Sequence, residues 1–388
     1  MLVAHKIALD LNSTQVTYCR KASGTARFAY NYALAEWQRQ YKEGLKPSDI
    51  SIRKQLNAIK REQFPWMYDI SKTVVQEAII NLGTAFDRFF KKVGKYPQFK
   101  KRGGHDSFCA ANYSETIKID GKRIKLPLIG WLKMWEAVRF SGTAKRATIS
   151  READRWFVSL MIEADIKPAT GLHGAVGIDL GVKTFATLST GEAIEGPKSH
   201  KNALKRLRKA NKTLARRQRG SKRYHKAKQR LARLHARIAC VRKDATHKLT
   251  SKLAKTYAVI GIEDLNVSGM SKNRKLARSI MDGGFFEFRR QLEYKIKWYG
   301  SKLGVVSRWF PSSKTCNYCG VVKSTLELRE RTFVCESCGH IEDRDLNAAK
   351  NIVRQVLVDL KDRGEISSGL RKILDETVST KRLEICTN

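Results

Sequence analysis

The apolar residues of this chain recur with two different periods. Between Ser71 and Lys92, Val75, Ile79, Leu82, Phe86 and Phe89 fall three or four residues apart, which predicts a helix with one buried stripe. Gln76, Asn81 and the basic residues lie off that stripe and are free to face a nucleic acid. A second helix is predicted from Ala22 to Tyr41, with Phe28, Tyr32, Ala35 and Trp37 among its apolar positions. From about Asp106 to Ala164 strand-forming runs take over: Ile117 to Ile119, Arg123 to Leu126 and Trp156 to Ile162, separated by turn residues such as Asp120-Gly121. The short strand predicted from Met1 to Leu11 has no partner nearby in sequence. It is therefore expected to join the later sheet, leaving the helices as an insertion into a small barrel. The basic, aromatic stretch from Tyr96 to Gly104 marks the boundary.

In the second half, VGIDLG puts Val176, Ile178 and Leu180 on one face of a strand and Gly177, Asp179 and Gly181 on the other. The two glycines are expected to leave space around the Asp179 carboxylate for a metal ion and a phosphate backbone, and Thr184 to Leu188 to pair as a hairpin. From Lys198 to Lys243, Leu204, Leu207 and Leu214, then Leu231, Leu234, Ile238 and Val241, make two narrow stripes broken near Gly220-Ser221, a helical hairpin. Tyr257 to Leu265 is apolar and short enough for a buried parallel strand, with Glu263 at its carboxyl end and Asp264 pointing the other way. An amphipathic helix from Phe285 to Leu303 and a strand from Val305 to Trp309 follow. Beyond about Val358 the chain is polar and mixed in charge, expected to be peripheral or disordered apart from a short helix at Leu370 to Leu374. The pattern as a whole predicts a multidomain α/β and α+β protein.

Charge narrows the partners. Lys+Arg 76 against Asp+Glu 37 gives +39, far more than solubility requires, so a polyanion partner is expected. The hairpin segment contains no acidic residue at all, and it would repel itself unless phosphates neutralised it. Lys205, Arg206, Arg216, Arg217 and Arg223 are its candidate nucleic-acid contacts. A membrane surface is the rival polyanion, but no apolar run approaches a spanning length and the start lacks a signal-peptide pattern. Four of the eight cysteines stand singly, at Cys19, Cys109, Cys240 and Cys386, which fits a reducing cytoplasm.

The other four form two Cys-x-x-Cys pairs, Cys316/Cys319 and Cys335/Cys338, with fifteen residues between them. That spacing predicts a zinc ribbon, in which four thiolates close a tetrahedral, purely structural Zn²⁺ site. Gly320 and Gly339 follow each pair where a knuckle turns. Two disulfides would need an oxidising compartment, and a redox motif normally occurs once. Asp345, separated from Cys338 by six residues and at a predicted helix start, is either an N-cap or a metal-binding carboxylate. Asp179 and Glu263 also stand at the ends of predicted core elements, which favours the second reading. Three carboxylates from distant segments suit two divalent ions serving phosphodiester hydrolysis, with Mg²⁺ expected and Mn²⁺ able to substitute.

In this order GIDLG, GIEDLN, FFEFRRQLEYK, SSKTCNYCG, FVCESCG and DRDLNAAKNI resemble the TnpB family, the RNA-guided nucleases of insertion sequences formerly called OrfB transposases and related to type V CRISPR effectors. The resemblance covers nearly the whole chain. It implies a wedge-type barrel over residues 1–12 and 106–170 and a helical recognition insertion over 13–105. It further implies an RNase H-like RuvC nuclease domain over 171–310 and 340–358 that includes the basic hairpin at 198–255. The zinc ribbon would span 311–339 and a tail 359–388. By resemblance Asp179, Glu263 and Asp345 match the catalytic triad, and Gln76 lies where the family reads a short flanking motif. A transposon-end guide RNA, target DNA and one protomer per RNA are implied as partners, in the bacterial cytoplasm near the nucleoid. A guide-dependent repressor without cleavage, a strand-joining transposase and a small type V CRISPR effector are the alternatives. The intact triad disfavours the repressor, and no His-x-His pair supports the transposase.

Overall fold

The computed structural model describes residues 1–103, 105–113, 115–327, 329–365 and 368–372. It divides into two units, residues 1–165 and 166–388.

The first unit opens with β1 (Leu2–Asp10), in which Val3, His5, Ile7 and Leu9 point inward. Three helices follow: α1 (Ser13–Lys42), α2 (Asp49–Gln63) and α3 (Lys72–Phe90). The remaining strands are β2 (Ser107–Ala111), β3 (Lys118–Asp120), β4 (Arg123–Leu126), β5 (Gly130–Met134), β6 (Gly142–Glu152) and β7 (Arg155–Ala164). The seven strands run β2-β6-β7-β1-β5-β4-β3, every pairing antiparallel. β1 pairs with β7 over Leu2 to Ala8 and with β5 at Leu9 and Asp10, so one strand serves two ladders and joins them into one sheet. The three helices are thus inserted between β1 and the rest of its sheet. Helix α1 starts nine residues before the stripe predicted, because Asn12 and Gln15 form a capping box. On α3, Val75, Ile79, Leu82 and Phe86 are buried, and Gln76 is half-buried.

The second unit contains β8 (His173–Asp179), β9 (Ala186–Leu188), β10 (Ala193–Ile194), α4 (Ser199–Ala215), α5 (Lys222–Thr256), β11 (Tyr257–Glu263), α6 (Val267–Met270), α7 (Ala277–Gly283), α8 (Phe285–Tyr299), β12 (Lys302–Val306), β13 (Thr332–Val334), β14 (Ile341–Asp343) and α9 (Arg344–Asp362). Helix α8 ends at Gly300, whose φ of 84° stops it, so the next strand is Lys302–Val306 rather than 305–309. Five strands form one sheet, β10-β9-β8-β11-β12. The first three are an antiparallel meander, and β11 and β12 run parallel to β8. One face of this sheet packs Val176, Ile178, Ile260 and Ile262 against α5 and α8 through Leu253, Phe288 and Leu292. The other face is covered by α9 through Ile352, Val356 and Leu357.

Glycines decide how closely α9 approaches. Gly177, Gly261 and Gly304 are register partners on three adjacent strands. A Cβ on Gly177 would lie 2.0 Å from the Ala349 carbonyl oxygen, and one on Gly304 would lie 2.2 Å from Val356 Cγ1. The space expected around Asp179 at Gly177 is therefore filled by the helix backbone. Gly181 is also no metal cradle, because its Cβ would meet the Thr184 carbonyl oxygen at 2.8 Å.

Helix α9 runs past 358 to Asp362, and Leu360 and Leu370 are buried with Val356 and Leu357. The segment expected to be a peripheral tail thus begins inside the core, held by apolar spacing that continues from Val356. Residues 373–388, which include Cys386, lie outside the described residues.

Candidate nuclease centre and zinc ribbon

Asp179 and Glu263 end two adjacent parallel strands, in register one step beyond the pair Ile178 and Ile262. Adjacent strands are about 4.8 Å apart, so the two carboxylates start from neighbouring backbones. Alternation turns both towards the face that α9 covers. Asp345 lies in the first turn of α9. Asp343 is the N-cap, its carboxylate accepting from the backbone N–H of Asp345 and Leu346, each at 3.0 Å. The capping role open to Asp345 thus belongs to Asp343, and the Asp345 carboxylate is free of the helix backbone and takes arginines instead. Asp264 faces the other way and takes Arg289 at 2.5 Å and Arg308, which hold its carboxyl below the usual range.

Charge records the convergence. Burial pushes the Asp179 carboxyl up to about 7, and the negative charges of Glu263 and Asp345 push the same way, with Arg344 opposing. Among the described residues no side chain bonds the Asp179 carboxylate. Glu263 accepts a bond from the Ser312 hydroxyl, and Asp345 meets Arg344 at 3.0 Å and Arg331 at 3.8 Å. A half-buried acid raised by two other acids marks a set of carboxylates gathered near one point. Hard oxygen donors of this kind fit Mg²⁺ or Mn²⁺.

The four cysteine sulfurs lie within 4.8 Å of one another, with Cys316 to Cys338 at 3.8 Å and Cys319 to Cys335 at 3.5 Å. A tetrahedron of Zn–S bonds has edges of about 3.8 Å, so the cluster has the size of a zinc site. Each knuckle closes alike: Gly320 N–H donates to the Cys316 carbonyl and Gly339 N–H to that of Cys335, at φ of 81° and 70°.

The basic hairpin folds as α4 and α5. Lys205 and Arg206 are exposed on α4, Arg216 and Arg217 at its end, and Arg223 at the start of α5. Val241, expected in the apolar stripe, is 43% exposed. Sequence reasoning missed what anchors this hairpin: Asp282 on α7 accepts from the Ser199 hydroxyl and the His200 backbone N–H, each at 3.0 Å, and so caps α4 from another element. In the first unit Gln76 lines a cavity of about 700 Å³ with Arg53, Asn57, Lys60, Tyr68 and Lys72. No described helix is long and apolar enough to cross a membrane.

A meander of three strands extended by two parallel ones, with acids at the ends of its two central strands and a third on the covering helix, is the RNase H-like (RuvC) architecture. Three family models match the chain: a helix-turn-helix domain over residues 1–46, OrfB of IS605, described as "Probable transposase", over 159–274, and a Cas12f1-like TNB domain over 285–352. A Streptomyces pristinaespiralis protein named "Putative RNA-guided DNA endonuclease" is 39% identical, with 87% of this chain and 85% of that protein covered. "Putative RNA-guided DNA endonuclease InsQ" of Escherichia coli (strain K12) is 32% identical, covering 91% and 92%. The Cas12f1 chain solved in complex with sgRNA and target DNA shares the fold at a TM-score of 0.56 and 16% identity, covering 87% of this chain and 82% of that one. The chain belongs to the TnpB (OrfB) family.

Proposed function

We propose that this protein is an RNA-guided DNA endonuclease of an insertion sequence, with Asp179, Glu263 and Asp345 as its catalytic acids. The observation that carries this reading is the meeting of three acids from distant segments at one end of an RNase H-like sheet, with Asp179 raised by the other two. The three carboxylates would hold two Mg²⁺ ions, or Mn²⁺ in their place. Such a pair of bound ions supplies an activated water and stabilises the leaving 3′ oxygen of an in-line phosphodiester displacement. Cys316, Cys319, Cys335 and Cys338 would hold one structural Zn²⁺.

The protein's own residues do the positioning. The glycine trough sets the distance from the sheet to α9, and Asp343 fixes the first turn of that helix. Lys205, Arg206, Arg216, Arg217 and Arg223 would take RNA phosphates, with the guide derived from the transposon end and one protomer per RNA. Base pairing would choose the sequence, while the protein reads a short flanking motif, with Gln76 in the lining of a basic cavity as its candidate reader. A repressor that binds without cutting is disfavoured because all three acids are present.

Replacing the guide segment of copurified RNA should redirect cleavage with no change in the protein. Asp179→Ala, Glu263→Ala or Asp345→Ala should each abolish cleavage and leave target binding within about twofold, because the basic surface is untouched. RNA-free protein that still cut one fixed sequence would overturn the proposal.

A further inference from the structure

The loop that leads into the zinc ribbon is bonded on both sides to the elements that carry the acids. Ser312 is 5% exposed, and its hydroxyl donates to Glu263 at the end of β11. Its carbonyl accepts from the Asn351 side-chain amide on α9 at 2.8 Å. Three residues on, the Thr315 carbonyl accepts from Asn351 at 2.6 Å and from Asn347 at 2.8 Å. The Asn347 oxygen in turn accepts from the backbone N–H of Asn317, inside the first zinc knuckle, at 2.9 Å, and from the Asn317 side chain at 3.0 Å.

Both α9 asparagines are fully buried, Asn347 at 0% and Asn351 at 2% exposed. They stand four residues apart and so share one face of the helix. Asparagine is a poor helix former, and a buried amide is costly unless its bonds are made. Here the partners fix the amide orientation: backbone carbonyls face each NH₂, and N–H donors face the Asn347 oxygen. Apolar side chains would pack α9 onto a loop without reading its register. Two amides on backbone groups set that register to within a hydrogen bond, two and six residues from Asp345.

We propose that Ser312, Asn347 and Asn351 are positioning residues that make the ribbon's entry loop a tether between Glu263 and Asp345, so that the knuckle at Cys316 and Cys319 sets the spacing of the two acids. Ser312 orients the Glu263 carboxylate directly, and the asparagines hold α9 to the same stretch of backbone. This rests on the nuclease reading, and the test separates the two.

The test uses the complete RNA-bound protein. Ser312→Ala removes one hydroxyl and no packing volume of consequence. It should leave guide and target affinity and zinc content at wild-type values while lowering the single-turnover cleavage rate and raising the half-saturating Mg²⁺ concentration, each roughly 10–100-fold. Ser312→Thr should restore part of both. Asn347→Ala should give the same metal defect, and the double variant with Ser312→Ala should fall short of the product of the two, since both cut one tether. Independent of activity, amide exchange in residues 344–351 should quicken roughly tenfold in Asn347→Ala and in zinc-stripped protein. If the wild-type protein does not cut a guided target, the nuclease reading fails and exchange alone decides the tether. Wild-type cleavage across the Mg²⁺ range in Ser312→Ala, or unchanged exchange in Asn347→Ala, would overturn it.

Discussion

Lys295 is 2% exposed on α8, and its ammonium donates to the His247 carbonyl at 2.8 Å and to the hydroxyls of Thr250 and Ser251 at 2.7 and 2.9 Å. Burial, and then the charge of Lys255, pushes its pKa down to about 8, with Glu287 opposing. A lysine lowered from 10.5 binds fewer protons folded than unfolded between pH 8 and 10.5, so its contribution to stability rises with pH across that window and is lost as pH falls through 8. Raising the pH also relieves the repulsion of a +39 chain, so the informative quantity is a difference. Thermal melts at pH 8 and 10 should show the wild type gaining about 1–3 kcal/mol more than Lys295→Met. Equal gains would mean that Lys295 is already neutral or already solvated. At this scale the sequence was readable where chemistry is local. Thiolate spacing and acids at element ends point to their sites without a partner in view. Ser312, Asn347, Asn351 and Asp282 were not readable, because each acts on a group far away in the chain. Asp343 could have been found from the same run as Asp345, since an acid just before a helix is the usual cap.

The elements carry a second lesson in the glycine trough. Isolated glycines in VGIDLG, VIGIED and KLGVV look like separate local features, and only the sheet register brings them side by side under α9. The sequence therefore invited a metal-cradle reading of Gly177, and the structure replaces it with helix packing. Gly304→Ala should destabilise the protein by about 1–3 kcal/mol and slow cleavage, and Val356→Ala should recover much of both by removing the methyl groups in the way. Gly177→Ala should not be recovered by any side-chain trimming, because its obstacle is the Ala349 backbone. Denaturant melts of the two single variants and the pair check this, and a Gly304→Ala protein with wild-type stability would show that α9 has room. Helix α2 escaped the sequence reading for a related reason. Only Ile52 and Leu56 are buried on it, too few to make a stripe, and its Ser48 cap is the stronger signal. The long stripe of α3 and the apolar run of β11 were plain because their burial is continuous.

Over the whole molecule charge outweighs every other compositional feature, and a net +39 sets the expectation of a polyanion partner from the sequence alone. The structure adds where that charge stands: Lys205, Arg206, Arg216, Arg217 and Arg223 are exposed around the turn between α4 and α5. Changing all five to Gln should weaken RNA binding and make it less steeply salt-dependent, by about 0.7–0.9 in log–log slope for each phosphate that is no longer neutralised. Binding titrated between about 50 and 200 mM salt, the range over which such charge pairing is felt, measures this. An unchanged slope would move the RNA to another surface. Guide and cut position were beyond the sequence for a physical reason: they belong to a second polymer.

The dual pairing of β1 has a consequence for how the protein is made. Its main partner, β7, lies roughly 150 residues further along the chain, so at ordinary rates of synthesis β1 waits on the order of ten seconds before that ladder can form. During that interval α1, α2 and α3 are complete and can settle on one another through local packing, while Val3, Ile7 and Leu9 remain uncovered. The first unit therefore has an assembled insertion before it has a frame. Its nascent chain is most open to capture by chaperones, or to wrong strand pairing, just when its helices are already in place.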